Sequence, residues 1–111
     1  MSTAWKVLHT ARAQRDHADI IRWTAERFGP EQARVYQATI RLAFAALRTG
    51  PDAMGVRQRD DIAPGIFTLH VARNGRKGRH FIVFRVNGDE RVMDVLRLLH
   101  DSMDLEKRLA N

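Results

Sequence analysis

At 111 residues the chain is sized for one domain with a modest core, and it has no cysteine, which excludes a disulfide framework, thiolate catalysis and a cysteine-ligated zinc. The net charge is +6, and 16 of the 19 basic residues are arginine, a balance suited to an acidic or phosphate-bearing partner. No apolar run reaches the roughly 18 residues of a spanning helix, and MSTAWKVLHT at the start lacks a signal peptide's apolar core and cleavage site, so a cytoplasmic protein with no membrane partner is expected.

Trp5 to Leu8 is a short apolar run that reads as a first strand, and Thr10 is placed to cap the helix after it. From Ala11 to Phe28 the period becomes helical: His17, Ile20, Ile21, Thr24 and Phe28 form a stripe, flanked by Ala13 and Trp23. Gly29 is expected to end this helix as a left-handed cap, and Pro30 to open the next at its first position. The second helix, to about Arg48, carries Ala33, Tyr36, Ile40, Ala43, Phe44 and Leu47 on one stripe, and Gly50-Pro51 stops it. Two helices joined this tightly form an αα-hairpin whose apolar stripes must lie on a sheet.

Pro51 to Gly65 reads as a crossover loop carrying Arg57, Arg59, Asp60 and Asp61. Ile66 to Ala72 alternates, with Phe67, Leu69 and Val71 on one face and Thr68 and His70 on the other. Asn74-Gly75 turns the chain amid Arg73, Arg76, Lys77 and Arg79, four basic residues with no acid among them. Phe81 to Val86 is the next strand, and Asn87-Gly88 reads as a two-residue hairpin signal. In the last strand, Arg91 to Leu99, simple alternation puts Met93, Val95 and Leu99 with Arg97 on one face and Leu96 and Leu98 with Asp94 on the other. Both faces are then apolar, so one needs a cover from the tail or a partner. The tail, with Leu105 and Leu109 four apart, is expected to be a loosely held turn of helix. The fold class is α+β: an N-terminal strand and an α-helical hairpin packed on a small, mainly antiparallel sheet, with a short C-terminal tail, residues 1–111 forming a single domain.

The chain resembles the RelE/ParE superfamily of type II toxins, closest to its ParE branch. The resemblance is carried by Ala13, Asp16, Ile20 and Trp23 in the first helix, by Ala33, Tyr36, Ile40, Phe44 and Leu47 in the second, and by Pro51, Gly55 and Arg57 after it. Its most specific part is Gly78-Arg79-His80 with Ile82, Phe84 and Arg85, then Val95-Leu96-Arg97-Leu98-Leu99-His100 and Met103-Asp104. The resemblance implies a toxin held inactive by a cognate antitoxin, reaching operator DNA only through that antitoxin. ParE-branch toxins act on DNA gyrase and block replication. RelE-type members of the same fold cut mRNA on the ribosome, and a third reading is a non-toxic complex-forming protein.

RNA cleavage needs a base for the 2′-OH, an acid for the leaving oxygen and cations for the phosphate. The residues available for it are Arg79, Arg97 and His100, with His80 as a further titratable group and Tyr36 placed on a core stripe. His9, His17, His70, His80 and His100 show no paired ligand spacing, so no metal or cofactor is expected, and Ser2 and Ser102 sit in no nucleophile motif. The reading is therefore a non-enzymatic inhibitor without catalytic residues. Its target surface is expected at Arg57, Arg59, Arg79, Arg85, Arg97, His100, Met103 and Asp104, and its antitoxin surface at Trp23, Tyr36, Met93 and Val95.

Overall fold

The computed structural model describes residues 4–110; Ser2 and the tail's last residue, Asn111, lie outside the described residues. The elements are β1 (Lys6–His9), α1 (Ala11–Phe28), α2 (Pro30–Leu47), β2 (Arg57–Gln58), β3 (Ile66–His70), β4 (His80–Asn87), β5 (Val92–His100) and α3 (Leu105–Ala110). One sheet runs in the order β1-β5-β4-β3-β2, with β1 parallel to β5 and the other pairs antiparallel. The α1–α2 hairpin covers one face of the sheet, as the amphipathic stripes require.

Thr10 caps α1: its hydroxyl accepts the Ala13 N–H at 3.1 Å. Gly29 closes α1 and opens α2 within one residue, but not as the expected left-handed cap. Its φ is 94° and its ψ 163°, an extended region essentially closed to side chains. A methyl there would meet nothing within 4 Å, so the demand for glycine is conformational, not steric.

The crossover loop contains a short edge strand that the sequence did not disclose: Arg57 and Gln58 pair with Thr68 and Phe67. Two acids organise the bend beyond it. Asp60 accepts from the Gly65 N–H and the Gln58 amide, and Asp61 accepts twice from Arg59, at 3.0 and 2.9 Å. Those bonds hold the Asp61 carboxyl below the usual carboxylate range.

Asn74 and Gly75 both have positive φ, and the Arg76 N–H reaches Arg73 O at 3.0 Å, a mirror-image turn of the type Asn-Gly favours. The second Asn-Gly behaves differently. Asn87 pairs with Val92, leaving residues 88–91 as the loop, and the positive φ falls on Arg91 instead. Asn87 contributes its side chain, accepting the Glu90 N–H at 3.2 Å.

The faces of β5 correct the alternating reading. Arg97 pairs with Val83 and Val95 with Phe84, so Leu96 is an extra residue and the strand bulges there. Beyond the bulge the faces exchange. Leu98 joins Met93 and Val95 in the core under the helices, while Leu99 joins Val83 on the opposite face. That second face is not left wet. Ile62 from the loop and Leu105 from α3 close it over Ile66, Val83 and Leu99. The tail is thus part of a second small core, with Leu105 only 8% exposed. Leu105→Ala should cost about 2 kcal/mol or more, read as a lower urea midpoint at unchanged slope; an unchanged midpoint would return the tail to a loose appendage.

Candidate functional site

The site lies where α2, the turn before β4 and the end of β5 meet. Gly78 permits the approach: a Cβ there would sit 2.5 Å from Val71 Cγ2 and 3.3 Å from the Tyr36 ring. Arg76 staples the turn to α2, with Nε 2.9 Å from Thr39 Oγ1 and Nη2 3.1 Å from Val35 O. Tyr36 holds the next residues. Its hydroxyl accepts the Arg79 N–H at 3.0 Å and lies 2.7 Å from His80 Nδ1.

The hydroxyl keeps one proton and a second lone pair, so it gives a proton to Nδ1 or takes one from it according to the His80 tautomer. Burial, and then the neighbouring His100, push His80 down to about 4, while burial raises Tyr36. At neutral pH both are uncharged. His100 stands edge-on to His80, ring centres 5.2 Å apart, and its Nδ1 accepts the Ser102 N–H at 3.1 Å. Asp101 ties the rim together. It accepts from His70 Nε2 at 3.0 Å and from Arg79 Nε at 3.2 and 3.3 Å. His70 Nδ1 accepts the Ala72 N–H, so Nε2 is the donor, and this bond, followed by burial in the opposite sense and then by Arg79, leaves Asp101 below the usual carboxylate range.

Above this floor opens a groove of about 950 Å³. Trp23, Phe28 and Val35 stand in its wall 53, 62 and 46% exposed, with the two aromatic rings edge-to-face at 5.8 Å. Arg27 lies over the Trp23 ring at 5.4 Å. Arg76, Lys77 and Arg79 line the opposite side, and among the described residues no carboxylate lines the groove.

The residues singled out from sequence are divided by the fold. Arg79 and His100 line the groove together with Trp23 and Tyr36. Arg97 does not: its guanidinium holds Asp16 of α1 at 2.7 and 3.2 Å, with both side chains 14% exposed. Arg57 and Arg85 are exposed and, by the pleat, share the α3-side face with Thr68 and Val83 or with Ile66. Arg59 is committed to Asp61. Asp104 starts α3, accepting the Lys107 N–H at 3.3 Å, beside a 37%-exposed Met103. Met93 and Val95 need correction as antitoxin contacts. Both are 0% exposed inside the helix-facing core and offer a partner no surface. Sequence reasoning missed His70, Asp101 and Ser102, whose roles depend on strand register. The basic run from Arg73 to Arg79 was the signal for the groove's charged side.

The family model of the ParE toxin of type II toxin–antitoxin systems, parDE, matches residues 7–105. This chain belongs to the ParE toxin family. It is 32% identical over 104 residues to Toxin ParE1 of Mycobacterium tuberculosis, covering 94% of this chain and 97% of the relative. To Toxin ParE of Escherichia coli it is 29% identical over 102 residues, covering 92% and 90%. Among solved structures, the chromosomal ParDE system of Pseudomonas aeruginosa superposes with a TM-score of 0.70 at 23% identity, covering 89% of this chain and 98% of that one. The toxin–antitoxin complex RelBE2 of M. tuberculosis gives 0.59 at 22%, covering 88% and 99%. These place the ParE-family chain in the fold anticipated from its sequence. Among the described residues no helix is long and apolar enough to cross a membrane.

Histidines whose charged form the fold disfavours make stability pH-dependent. His80 is depressed from 6.5 to about 4, and burial lowers His9 and His17 in the same direction. His17 Nε2 is also buried without a protein partner. Between pH 6.5 and 4 the unfolded chain takes up protons that the folded histidines refuse, so the stability present above 6.5 is lost as pH falls toward 4. The urea midpoint should drop across that window, and His80→Gln should make the drop shallower. An identical slope in the variant would show that His80 is not a source of the drop.

Proposed function

We propose that this ParE-family toxin acts without catalysis, inhibiting DNA gyrase and blocking replication, and that a cognate antitoxin neutralises it in the cytoplasm. Family membership over residues 7–105 supports the first part, since ParE-branch toxins are the gyrase inhibitors of the superfamily the sequence resembles. The observation that carries the reading against its rival is the Asp16–Arg97 pair. A RelE-type nuclease here would need Arg79, Arg97 and His100 around one phosphate, but Arg97 is bound to α1 and is not among the residues lining the groove with the other two. His80 has its Nδ1 engaged by the Tyr36 hydroxyl, which leaves one ring nitrogen open for any proton transfer.

Two features support an antitoxin partner. The structural neighbours are a ParDE system and a RelBE2 toxin–antitoxin complex. The exposed Trp23, Phe28 and Val35, beside basic residues on a +6 chain, suit an acidic segment with apolar anchors. Operator DNA would be reached through that antitoxin. The target surface we assign to the exposed Arg57, Arg85 and Met103 on the far side of the sheet, with Arg79 and His100 at its edge.

The test is purified gyrase and supercoiled plasmid. The chain should inhibit supercoiling, the co-purified product of the adjacent gene should relieve it, and expressing cells should filament while translation continues. Arg85→Ala should weaken inhibition at an unchanged melting temperature. A prompt halt of translation with mRNA cut at codons would instead establish the nuclease, and growth without arrest would establish a non-toxic complex-former.

A further inference from the structure

We propose that Asp101 and His70 are positioning residues that hold the Arg79 guanidinium outward, its terminal nitrogens open to an oxyanion of the target. The inference rests on the target surface proposed above, of which Arg79 forms an edge. It adds two residues that act on the target only through Arg79.

Carboxylates grip the arginines of this fold in two ways. Asp61 takes Nε and Nη2 of Arg59, at 3.0 and 2.9 Å, and Asp16 takes the same two nitrogens of Arg97, at 2.7 and 3.2 Å. Each is a fork set against a fork, which occupies an edge of the guanidinium suited to oxyanions. Asp101 does otherwise. Both of its oxygens take the single Arg79 Nε–H, at 3.2 and 3.3 Å. The Nη groups, which carry the rest of the donors, meet no protein acceptor among the described residues. The Arg79 side chain is 68% exposed, against 29% for Arg59 and 14% for Arg97. Its neighbours in the basic run are committed elsewhere: Arg73 to the Met54 carbonyl at 3.2 Å, and Arg76 to Thr39 and the Val35 carbonyl.

The carboxylate is itself fixed. The Asp101 N–H reaches Arg79 O at 2.8 Å, one step beyond the His80–His100 pair that ends the β4–β5 ladder. Its Oδ2 accepts from His70 Nε2 at 3.0 Å. That nitrogen is a donor because His70 Nδ1 accepts the Ala72 N–H at 3.0 Å. The His70 ring stands edge-on to Phe81, ring centres 4.9 Å apart, which fixes its plane. The end of β3, the residue before β4 and the residue after β5 thus converge on one guanidinium. A free surface arginine loses its rotamer freedom when a partner binds, and one anchored beforehand has already lost it.

The experiment is a double-mutant cycle on the full chain with Asp101→Ala and Arg79→Ala. It is read on gyrase supercoiling and, independently of the target, on growth arrest of expressing cells. Arg79→Ala should raise the concentration for half-inhibition about tenfold, and Asp101→Ala about fivefold. The double variant should match Arg79→Ala within about twofold, since Asp101 acts only through Arg79. His70→Phe keeps a ring against Phe81 but gives no proton to Asp101, so it should show a smaller loss that also vanishes without Arg79. In proton–nitrogen correlation spectra the Arg79 Nε–H should be sheltered from water exchange in the unaltered protein and lose that shelter in Asp101→Ala. Losses that multiply in the double variant, unchanged or stronger inhibition by Asp101→Ala, an unsheltered Nε–H in the unaltered protein, or a fall in melting temperature that accounts for the lost activity of both Asp101→Ala and His70→Phe would each overturn the proposal. Coupled losses of growth arrest without gyrase inhibition would remove the gyrase reading alone. Gyrase inhibition with independent losses would remove this inference alone, and an unaltered chain that neither arrests growth nor inhibits gyrase would remove both.

Discussion

The open edge of β5 sets the geometry of the whole molecule. β1 pairs with β5 only as far as Val95 and then turns into α1, so the next backbone groups of β5 lose their strand neighbour. The first turns of α1 replace it. The Thr10 N–H reaches Val95 O at 3.1 Å and its hydroxyl reaches Leu96 O at 3.1 Å while also capping the helix. Asp16 takes the Leu98 N–H at 3.0 Å, and Arg97 balances its charge. An unpaired backbone amide and an unpaired carboxylate would each be costly at a site this enclosed, so the three residues stand or fall together. The bulge at Leu96 occurs where strand pairing gives way to helix pairing, and it re-aims every residue after it.

The groove depends on this clamp. With the start of α1 fixed on β5, the hairpin's far end overhangs the other end of the sheet, and Trp23 and Phe28 project beside Gly29 with no layer above them. Tyr36 then joins α2 to the beginning of β4, and His100 ends β5 opposite His80. The faces divide the work. Residues of one parity on β4 serve the core under the helices, and those of the other serve the small core that α3 and Ile62 close.

Much of this was legible because it is local. Helical periods, the Thr10 cap, Pro30 at a first helical position and the Asn74-Gly75 turn each depend on neighbours a few residues away. The parts that were not legible depend on long-range register. One inserted residue at Leu96 exchanged the faces of Leu98 and Leu99, and no local signal marks it. Met93 and Val95 read as a surface for a partner because alternation cannot tell a strand face packed on helices from one awaiting a ligand. Asp16 carries part of the family resemblance, yet its meaning lies 81 residues away at Arg97. Arg97 therefore looked like one of several functional arginines. Asn87-Gly88 shows the limit even of local rules, since the strand register around it admitted a longer loop.

Arg97 is held by Asp16 as part of the scaffold, which leaves the groove and the exposed far-side arginines as the surfaces proposed for recognition. A double-mutant cycle on Asp16→Asn and Arg97→Gln, read by urea unfolding, addresses this directly. The clamp predicts a coupling energy of about 1–3 kcal/mol, with either single variant losing most of the stability that the pair loses. Effects that add within about 0.3 kcal/mol, with Arg97→Gln fully stable but inactive, would contradict it and make Arg97 a functional residue.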